Sequence, residues 1–176
     1  MQNQEVLDSL KTDIDVIRER VKDFIHLNDF QLNWKESEKK WSIAQCFDHL
    51  NRASKYYLDK FDKQFSEAKK LNSEDFKSGK IGGYLIKFVM NPNNKTKSPL
   101  VFTPSKEALT QNIIQEFLDY QQKWENVIGK SQNLDLVHNR IQSPLSRFVK
   151  LRLGDVFLLN LKHEIRHLKQ ARNILV

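Results

Sequence analysis

Four long segments of the chain carry apolar side chains at every third or fourth position, the spacing of one face of an α-helix. These segments span residues 3–26, 41–61, 103–129 and 153–175. Because the alternation of apolar and polar residues typical of strands is largely absent, the chain is predicted to be all-α. Long connections after the first three segments favour a four-helix bundle. No internal repeat or second domain is evident, so residues 1–176 are expected to form one domain.

Local signals set the expected ends of several helices. Ser42 is an N-cap residue, and Gln45, three positions later, can return a hydrogen bond to the Ser42 amide, which completes a capping box. Thr103 and the proline that follows it predict the start of the third long helix, and Gly129 predicts its end. A short extra helix is expected over residues 81–89, where apolar residues recur at helical spacing.

Composition excludes several classes of protein. With 39% hydrophobic and 29% charged residues, the 176-residue chain is predicted to be neither disordered nor membrane-embedded. No apolar run approaches the roughly 18 residues that a transmembrane helix needs. The first residues lack the apolar core of a signal peptide, so a cytoplasmic location is expected. Cys46 is the only cysteine, which excludes an intrachain disulfide and a cysteine-based metal cluster and favours a core thiol.

The net charge of +7 raises the question of a nucleic-acid partner. The 29 basic residues are spread along the chain and often adjoin acidic ones. No basic run with interleaved aromatic residues, as nucleic-acid-binding surfaces use, is present in the sequence. A solvated basic surface explains the charge better, so we expect neither a nucleic-acid nor a membrane partner.

Two histidines near the end of the chain, His163 and His167, are four residues apart in the last predicted helix. Side chains at this spacing project from one helical face, and two imidazoles so placed can bind one metal ion. The same face carries Val156 and Ile174, so the pair is expected to point into the bundle. An unpaired buried polar group costs about 1–3 kcal/mol. We therefore predict a metal site, with two hydrogen-bonded interior histidines as the alternative.

The letters HEIRH at residues 163–167 match the HExxH motif of zinc proteases, in which the glutamate is the general base. Nine residues follow His167, and none of them is His, Asp, Glu or Cys. The protease interpretation therefore fails, and the third ligand must come from earlier in the chain. Glu164 lies about 100° from His163 around the helix, and we expect it in an ion pair at the surface.

His49 is the strongest candidate for the third ligand. It lies in the middle of the second predicted helix, and small residues on its face leave room around an imidazole. His26 lies off the apolar face of the first helix, and His138 lies in a connection. Geometry therefore favours a site made of His49, His163 and His167.

Neighbouring polar residues are candidates for supporting roles. Gln170 lies three positions after the second histidine of the pair, and Asn160 three positions before the first. Either side chain can hold a water molecule or an imidazole N–H. Tyr56, seven positions after His49, is a candidate for the cavity wall, with simple core packing as the alternative.

Several of these residues occur in an order that resembles the DinB superfamily, over about residues 40–175. The matching pieces are a Trp-Ser helix start, a histidine in the middle of that helix, and an HxxxH pair with a trailing glutamine. They comprise Trp41, Ser42, Ile43, Ala44, Gln45, Asp48, His49, Leu50, His163, Glu164, His167, Leu168 and Gln170. The resemblance implies a four-helix up-down-down-up bundle (the DinB/YfiT-like fold). It also implies a divalent metal ion, nickel, zinc or a similar one, held by His49, His163 and His167.

The resemblance further implies a class of activity. Several members of the family transfer or isomerise with low-molecular-weight thiols such as bacillithiol or mycothiol, others are described as hydrolases, and dimers are common. We therefore expect a homodimeric, metal-dependent enzyme that acts on a small-molecule substrate. It would be either a hydrolase or a thiol-dependent S-transferase of the bacillithiol type. The alternative is a non-catalytic helical binding or stress-related module that has kept the bundle.

Overall fold

The computed structural model describes residues 1–71, 75–91, 93–94 and 98–175, and this part of the chain is mostly helical. Its helices are α1 (Asn3–Val21), α2 (Asp29–Asn33), α3 (Ile43–Gln64), α4 (Lys80–Met90), α5 (Asn112–Lys130) and α6 (Leu153–Arg172). Strands β1 (Arg140–Gln142) and β2 (Lys150–Arg152) form an antiparallel pair, and 3-10 turns span Phe65–Glu67, Leu100–Phe102 and Ser131–Asn133. The predicted all-α fold with a short extra helix is confirmed. None of the helices in the described ranges is long and apolar enough to span a membrane.

The four long helices pack around a shared apolar core. Helices α5 and α6 each contact both α1 and α3, which places α1 and α3 at opposite corners of the bundle. The apolar faces predicted from the sequence are buried in this cluster, including Leu10, Phe47, Phe117 and Phe157. Each large side chain of this kind stabilises the fold by about 1.5–3 kcal/mol.

Contacts along α1 and α6 define their relative direction. Lys162 forms an ion pair with Asp13, and Arg172, further along α6, forms one with Asp23, which lies beyond the end of α1. From the first contact to the second, the residue numbers increase along both segments. Helices α1 and α6 are therefore parallel.

Contacts of α3 with α6 run in the opposite sense. Phe61 stacks on Phe157 with ring centroids 5.2 Å apart, whereas the earlier residue His49 meets the later residue His163. Helix α3 is thus antiparallel to α6.

Helix α5 follows the direction of α3. Phe47 contacts Phe117, and the later residue Phe61 contacts the later residue Trp124. With α1 and α6 pointing one way and α3 and α5 the other, the bundle is up-down-down-up in chain order, as the resemblance implies.

The capping box at the start of α3 is confirmed. The Ser42 hydroxyl accepts a hydrogen bond from the Gln45 amide, and the Gln45 side chain accepts one from the Ser42 amide, both at 3.2 Å. These bonds satisfy two backbone donors that the first turn of a helix leaves unpaired.

The predicted start of the third long helix at Thr103 is wrong, because α5 begins only at Asn112. The segment between them is held by tertiary hydrogen bonds to α3. The Ser105 amide donates to Asp48, and the Ser105 carbonyl accepts from Gln45, both at 2.7 Å. These bonds use backbone groups that a helix would need for itself.

Two helix ends also differ from the prediction. Helix α1 stops at Val21 rather than near residue 26, and turns follow it. Helix α5 runs through Gly129 to Lys130. Gly129 does not adopt the positive φ that a glycine cap uses, so it does not end the helix. The β1–β2 hairpin and the short helix α2 were not predicted, because each is only three to five residues long.

Glu164 does not lie at the surface in an ion pair, and that prediction is wrong. Its side chain is fully buried and accepts hydrogen bonds from Ser54 at 3.0 Å, Gln121 at 3.0 Å and Asn160 at 2.8 Å. The Ser54 hydroxyl in turn accepts from the Trp124 indole N–H at 3.1 Å. Burial raises the pKa of Glu164 to about 7, although the three hydrogen bonds oppose the shift. The network therefore ties α3, α5 and α6 together inside the core.

Replacing Glu164 with alanine should destabilise the fold strongly. The change leaves three buried donors without an acceptor, and we expect it to lower the free energy of unfolding by about 3 kcal/mol or more. Urea-induced unfolding followed by circular dichroism measures the loss. Glu19→Ala is the matched control on an exposed helical face, where we expect a change below about 0.5 kcal/mol. Equal stability of the two variants would contradict a structural role for the network.

Candidate metal centre

Helices α3 and α6 bring the three predicted histidines together. One nitrogen from each of His49, His163 and His167 lies within 4.8 Å of the other two. The Nε2 atoms of His49 and His163 are 2.9 Å apart. Antiparallel packing of α3 on α6 thus places the middle of one helix against the later turns of the other.

The orientation of His49 is fixed by the 3-10 turn that precedes the 103–111 segment. Its Nδ1–H donates to the Phe102 carbonyl at 2.7 Å, and the Ser98 hydroxyl lies 3.3 Å from the same nitrogen. A carbonyl oxygen only accepts, so the proton of neutral His49 sits on Nδ1. The Nε2 lone pair therefore faces the other two histidines, as metal ligation requires.

Gln170 plays the same part for His167. Its amide oxygen accepts from the His167 Nδ1–H at 2.9 Å, so the predicted contact between Gln170 and an imidazole is present. The Nε2 atom of His167 is then left with its lone pair. Trp41, whose role sequence reasoning missed, packs against two of the imidazoles, with ring centroids 4.9 Å from His49 and 5.7 Å from His167.

Burial keeps the three imidazoles neutral. It lowers the pKa of His49, lowers that of His163 well below its ordinary value, and lowers that of His167 to about 3. The mutual repulsion that protonated rings would suffer adds to the shift of the pair on α6. Neutral imidazole is the form that binds a metal ion, so no proton has to leave the site at neutral pH.

The donor set fits a divalent ion. Imidazole nitrogens bind zinc at about 2.0–2.1 Å, so two of them at 90–110° on one ion are about 2.9–3.4 Å apart. The His49–His163 separation of 2.9 Å lies in that range, and a ring nitrogen of His167 lies within 4.8 Å of both. Three imidazoles suit zinc, nickel and similar ions, and they leave coordination positions for water or a substrate.

A cavity of about 350 Å³ opens beside the histidines, within the size range of small-molecule sites. We call it the histidine cavity. Its wall is mainly aromatic and aliphatic and is built by α3, α4, α6 and the segments around residues 98–102 and 143–145. Besides the three histidines it comprises Trp41, Ala53, Tyr57, Tyr84, Leu85, Phe88, Val89, Ser98, Pro99, Phe102, Ser143, Pro144, Leu145, Leu159, Asn160 and Arg166.

Arg166 is the one charged side chain among the described residues of this wall, since the three histidines are neutral. Its guanidinium donates to the carbonyls of Val89 at 2.8 Å, Asn91 at 3.2 Å and Asn94 at 2.5 Å. These carbonyls lie at and just beyond the C-terminus of α4, where the helix dipole favours a cation. Arg166 therefore anchors α4 to α6 and has its hydrogen-bonding capacity largely used.

Three further residues considered in the sequence analysis, Asn160, Tyr56 and Cys46, do not contact the imidazoles in the way that a ligand or its support would. Asn160 lies in the cavity wall, but its amide N–H donates to Glu164 rather than meeting an imidazole. Tyr57, not Tyr56, lines the cavity, and its place on the apolar face of α3 gave the only signal for it. Cys46 is a buried free thiol whose pKa burial raises to about 12, which agrees with the predicted core role.

The two remaining histidines lie outside the centre. His138 pairs with the buried carboxylate of Asp135 at 2.8 Å, and neither His138 nor His26 belongs to the cluster of possible ligands found among the described residues. Their exclusion from the predicted site is therefore consistent with the fold.

Comparison with known proteins places the chain in one family. The sequence model of the DinB superfamily matches residues 9–171, which is most of the chain. No curated protein and no solved structure was found to match it. The match covers all or most of each of the four long helices and includes the three histidines. The chain therefore belongs to the DinB superfamily.

Proposed function

We propose that the protein is a metal-dependent enzyme that acts on a small molecule, with His49, His163 and His167 as the ligands of a divalent ion. One observation carries the proposal: three neutral imidazoles converge at the wall of a largely apolar cavity. A metal site open to a cavity of this size is typical of catalytic rather than structural ions.

The residues present suggest which parts of the reaction the metal ion would perform and which the protein side chains would perform. A divalent ion supplies positive charge that lowers the pKa of a water molecule or a thiol bound to it. No aspartate or glutamate occurs among the described residues of the cavity wall, so no carboxylate there is placed to act as a base. Trp41 and the aromatic and aliphatic side chains of the wall give the centre mainly apolar surroundings. These features support either hydrolysis of a small substrate or its transfer to a low-molecular-weight thiol.

A second candidate function has its own supporting observation. The 2.9 Å separation of the His49 and His163 Nε2 atoms also suits a direct hydrogen bond, which would pair these two nitrogens without a metal ion. On that basis the alternative is a non-catalytic helical binding or stress-related module that retains the bundle.

Metal analysis of single-alanine variants tests the proposed ligands. We expect the purified protein, loaded with zinc or nickel and dialysed, to retain about one ion per chain by mass spectrometry of the metal. His49→Ala, His163→Ala and His167→Ala should each lose it, because two imidazoles hold an ion much more weakly than three. His138→Ala, which removes a partly exposed histidine outside the centre, should keep it. Full metal content in all three ligand variants would rule out the site.

Loss of the Gln170 contact should weaken the ion without removing it. The amide of Gln170 orients the His167 ring, and groups of this kind typically contribute a factor of about 10–100 in metal affinity. Because Gln170 is exposed, we expect Gln170→Ala to reduce the affinity by about tenfold, near the low end of that range. Competition with a coloured chelator measures the change. Lys169→Ala, an exposed neighbour on the same turn, should have no effect, and an equal effect of both changes would contradict the assignment.

Activity assays distinguish the two reactions and the non-catalytic alternative. The metal-loaded protein is incubated with aryl esters alone, and with bacillithiol plus the electrophile 1-chloro-2,4-dinitrobenzene. Ester cleavage without a thiol supports a hydrolase, and thiol-dependent adduct formation supports a transferase. Either activity should disappear in His163→Ala. A protein that holds its ion but catalyses neither reaction favours the non-catalytic module.

A further inference from the structure

Two side chains of the histidine-cavity wall that are more than nine-tenths buried carry a polar group without a hydrogen-bond partner among the described residues. One is the side-chain oxygen of Asn160, which is buried and unpaired although the amide nitrogen beside it donates to Glu164. The other is the Tyr57 hydroxyl, for which the described residues provide neither a donor nor an acceptor. Tyr57 is only 4% exposed, so this phenol is more than nine-tenths buried.

The packing of α3 on α6 sets these two groups across from each other. Ser54 contacts Glu164, one turn after Asn160, and Phe61 stacks on Phe157, one turn before it. Tyr57 lies between Ser54 and Phe61 on α3 and therefore faces the part of α6 that carries Asn160. Both side chains line the same cavity as His49 and His163.

The two groups have complementary hydrogen-bonding roles. Burial raises the pKa of Tyr57 above its ordinary value, so the hydroxyl stays protonated and is available as a donor. The Asn160 oxygen only accepts. A ligand that satisfies both must carry an acceptor for Tyr57 and a donor for Asn160.

The rest of the described wall constrains the body of that ligand. It is mainly aromatic and aliphatic, and the N–H groups of its one charged side chain, Arg166, are directed at three backbone carbonyls. A charged ligand group would lose its hydration against this apolar wall, and the Arg166 donors that would bind an anion are directed elsewhere. The wall therefore favours an uncharged ligand with an apolar body.

We propose that Tyr57 and Asn160 form a recognition pair for an uncharged, largely apolar small molecule that carries both a hydrogen-bond acceptor and a hydrogen-bond donor, such as a primary amide. The inference deepens the proposed function by naming the substrate class of the same cavity. It rests on that function only for the reaction at the histidines, because the recognition pair itself needs no metal ion.

Calorimetric titration with benzamide tests the pair in the full-length protein. Benzamide has the acceptor and the donor on an apolar ring, and acetophenone has the same size and carbonyl but a methyl group in place of the amide nitrogen. We expect the wild-type protein to bind benzamide about tenfold more tightly than acetophenone, the factor that one good hydrogen bond provides. Benzoate should bind more weakly than benzamide to protein freed of metal by a chelator.

A matched pair of tyrosine variants isolates the hydroxyl. Tyr57→Phe should weaken benzamide binding by about tenfold. Tyr56→Phe should leave it unchanged, since Tyr56 packs on the same Phe102 ring but does not line the cavity. Both variants keep their aromatic rings, and both should retain the metal content of the wild type.

Three results would overturn the recognition pair: no benzamide binding by wild-type protein, equal binding of benzamide and acetophenone, or equal binding by wild type and Tyr57→Phe. Failure of the recognition pair can be distinguished from failure of the metal proposal. Benzamide binding that depends on Tyr57 and persists in chelator-treated protein supports the pair even if no ion is ever retained. Normal metal content together with any of the three results leaves the metal site standing and removes the pair.

Discussion

The antiparallel packing of α3 against α6 is the constraint on which both the core and the candidate centre depend. The same interface carries the buried hydrogen bond from Ser54 to Glu164 and the approach of His49 to His163. A shift of α3 along α6 by one helical turn, about 5.4 Å, would remove the Ser54 donor from Glu164 and would separate His49 from His163. A buried carboxylate is costly unless all of its partners are in place, so this network selects one alignment of the two helices. The alignment that satisfies Glu164 is also the one that assembles the three imidazoles.

Helix α6 extends this control to the cavity. It holds both ends of α4: Asp155 accepts from the Gly79 amide at 2.9 Å, and Arg166 binds carbonyls at the other end. The helix that contributes two of the three histidines therefore also positions one wall of the cavity beside them. Burial by this wall and by Trp41 keeps the imidazoles neutral, which is the state that the proposed chemistry requires.

Much of the fold and the core of the site were predictable from the sequence, because both depend on periodicity. Apolar residues at helical spacing identified the long helices, and the four-residue spacing of His163 and His167 identified one face. What failed depended on tertiary contacts. The helix predicted to start at Thr103 does not form there because Ser105 makes hydrogen bonds with α3 instead. Glu164 was expected at the surface because it lies about 100° from His163 around the helix. Since α6 is packed by α1, α3 and α4, a residue 100° from the histidines is buried as well. The cavity role of Tyr57 also depends on tertiary contacts. An apolar helical face predicts that this tyrosine is buried, but it does not predict which groups surround its hydroxyl.

Anomalous X-ray scattering would show whether His49, His163 and His167 hold a single divalent ion, as we propose. Crystals grown from protein loaded with zinc or nickel would be measured on both sides of the absorption edge of the metal. We expect one strong anomalous peak about 2.0–2.1 Å from an imidazole nitrogen of each of the three residues. Absence of a peak there, with the His49 and His163 Nε2 atoms still hydrogen-bonded to each other, would contradict it.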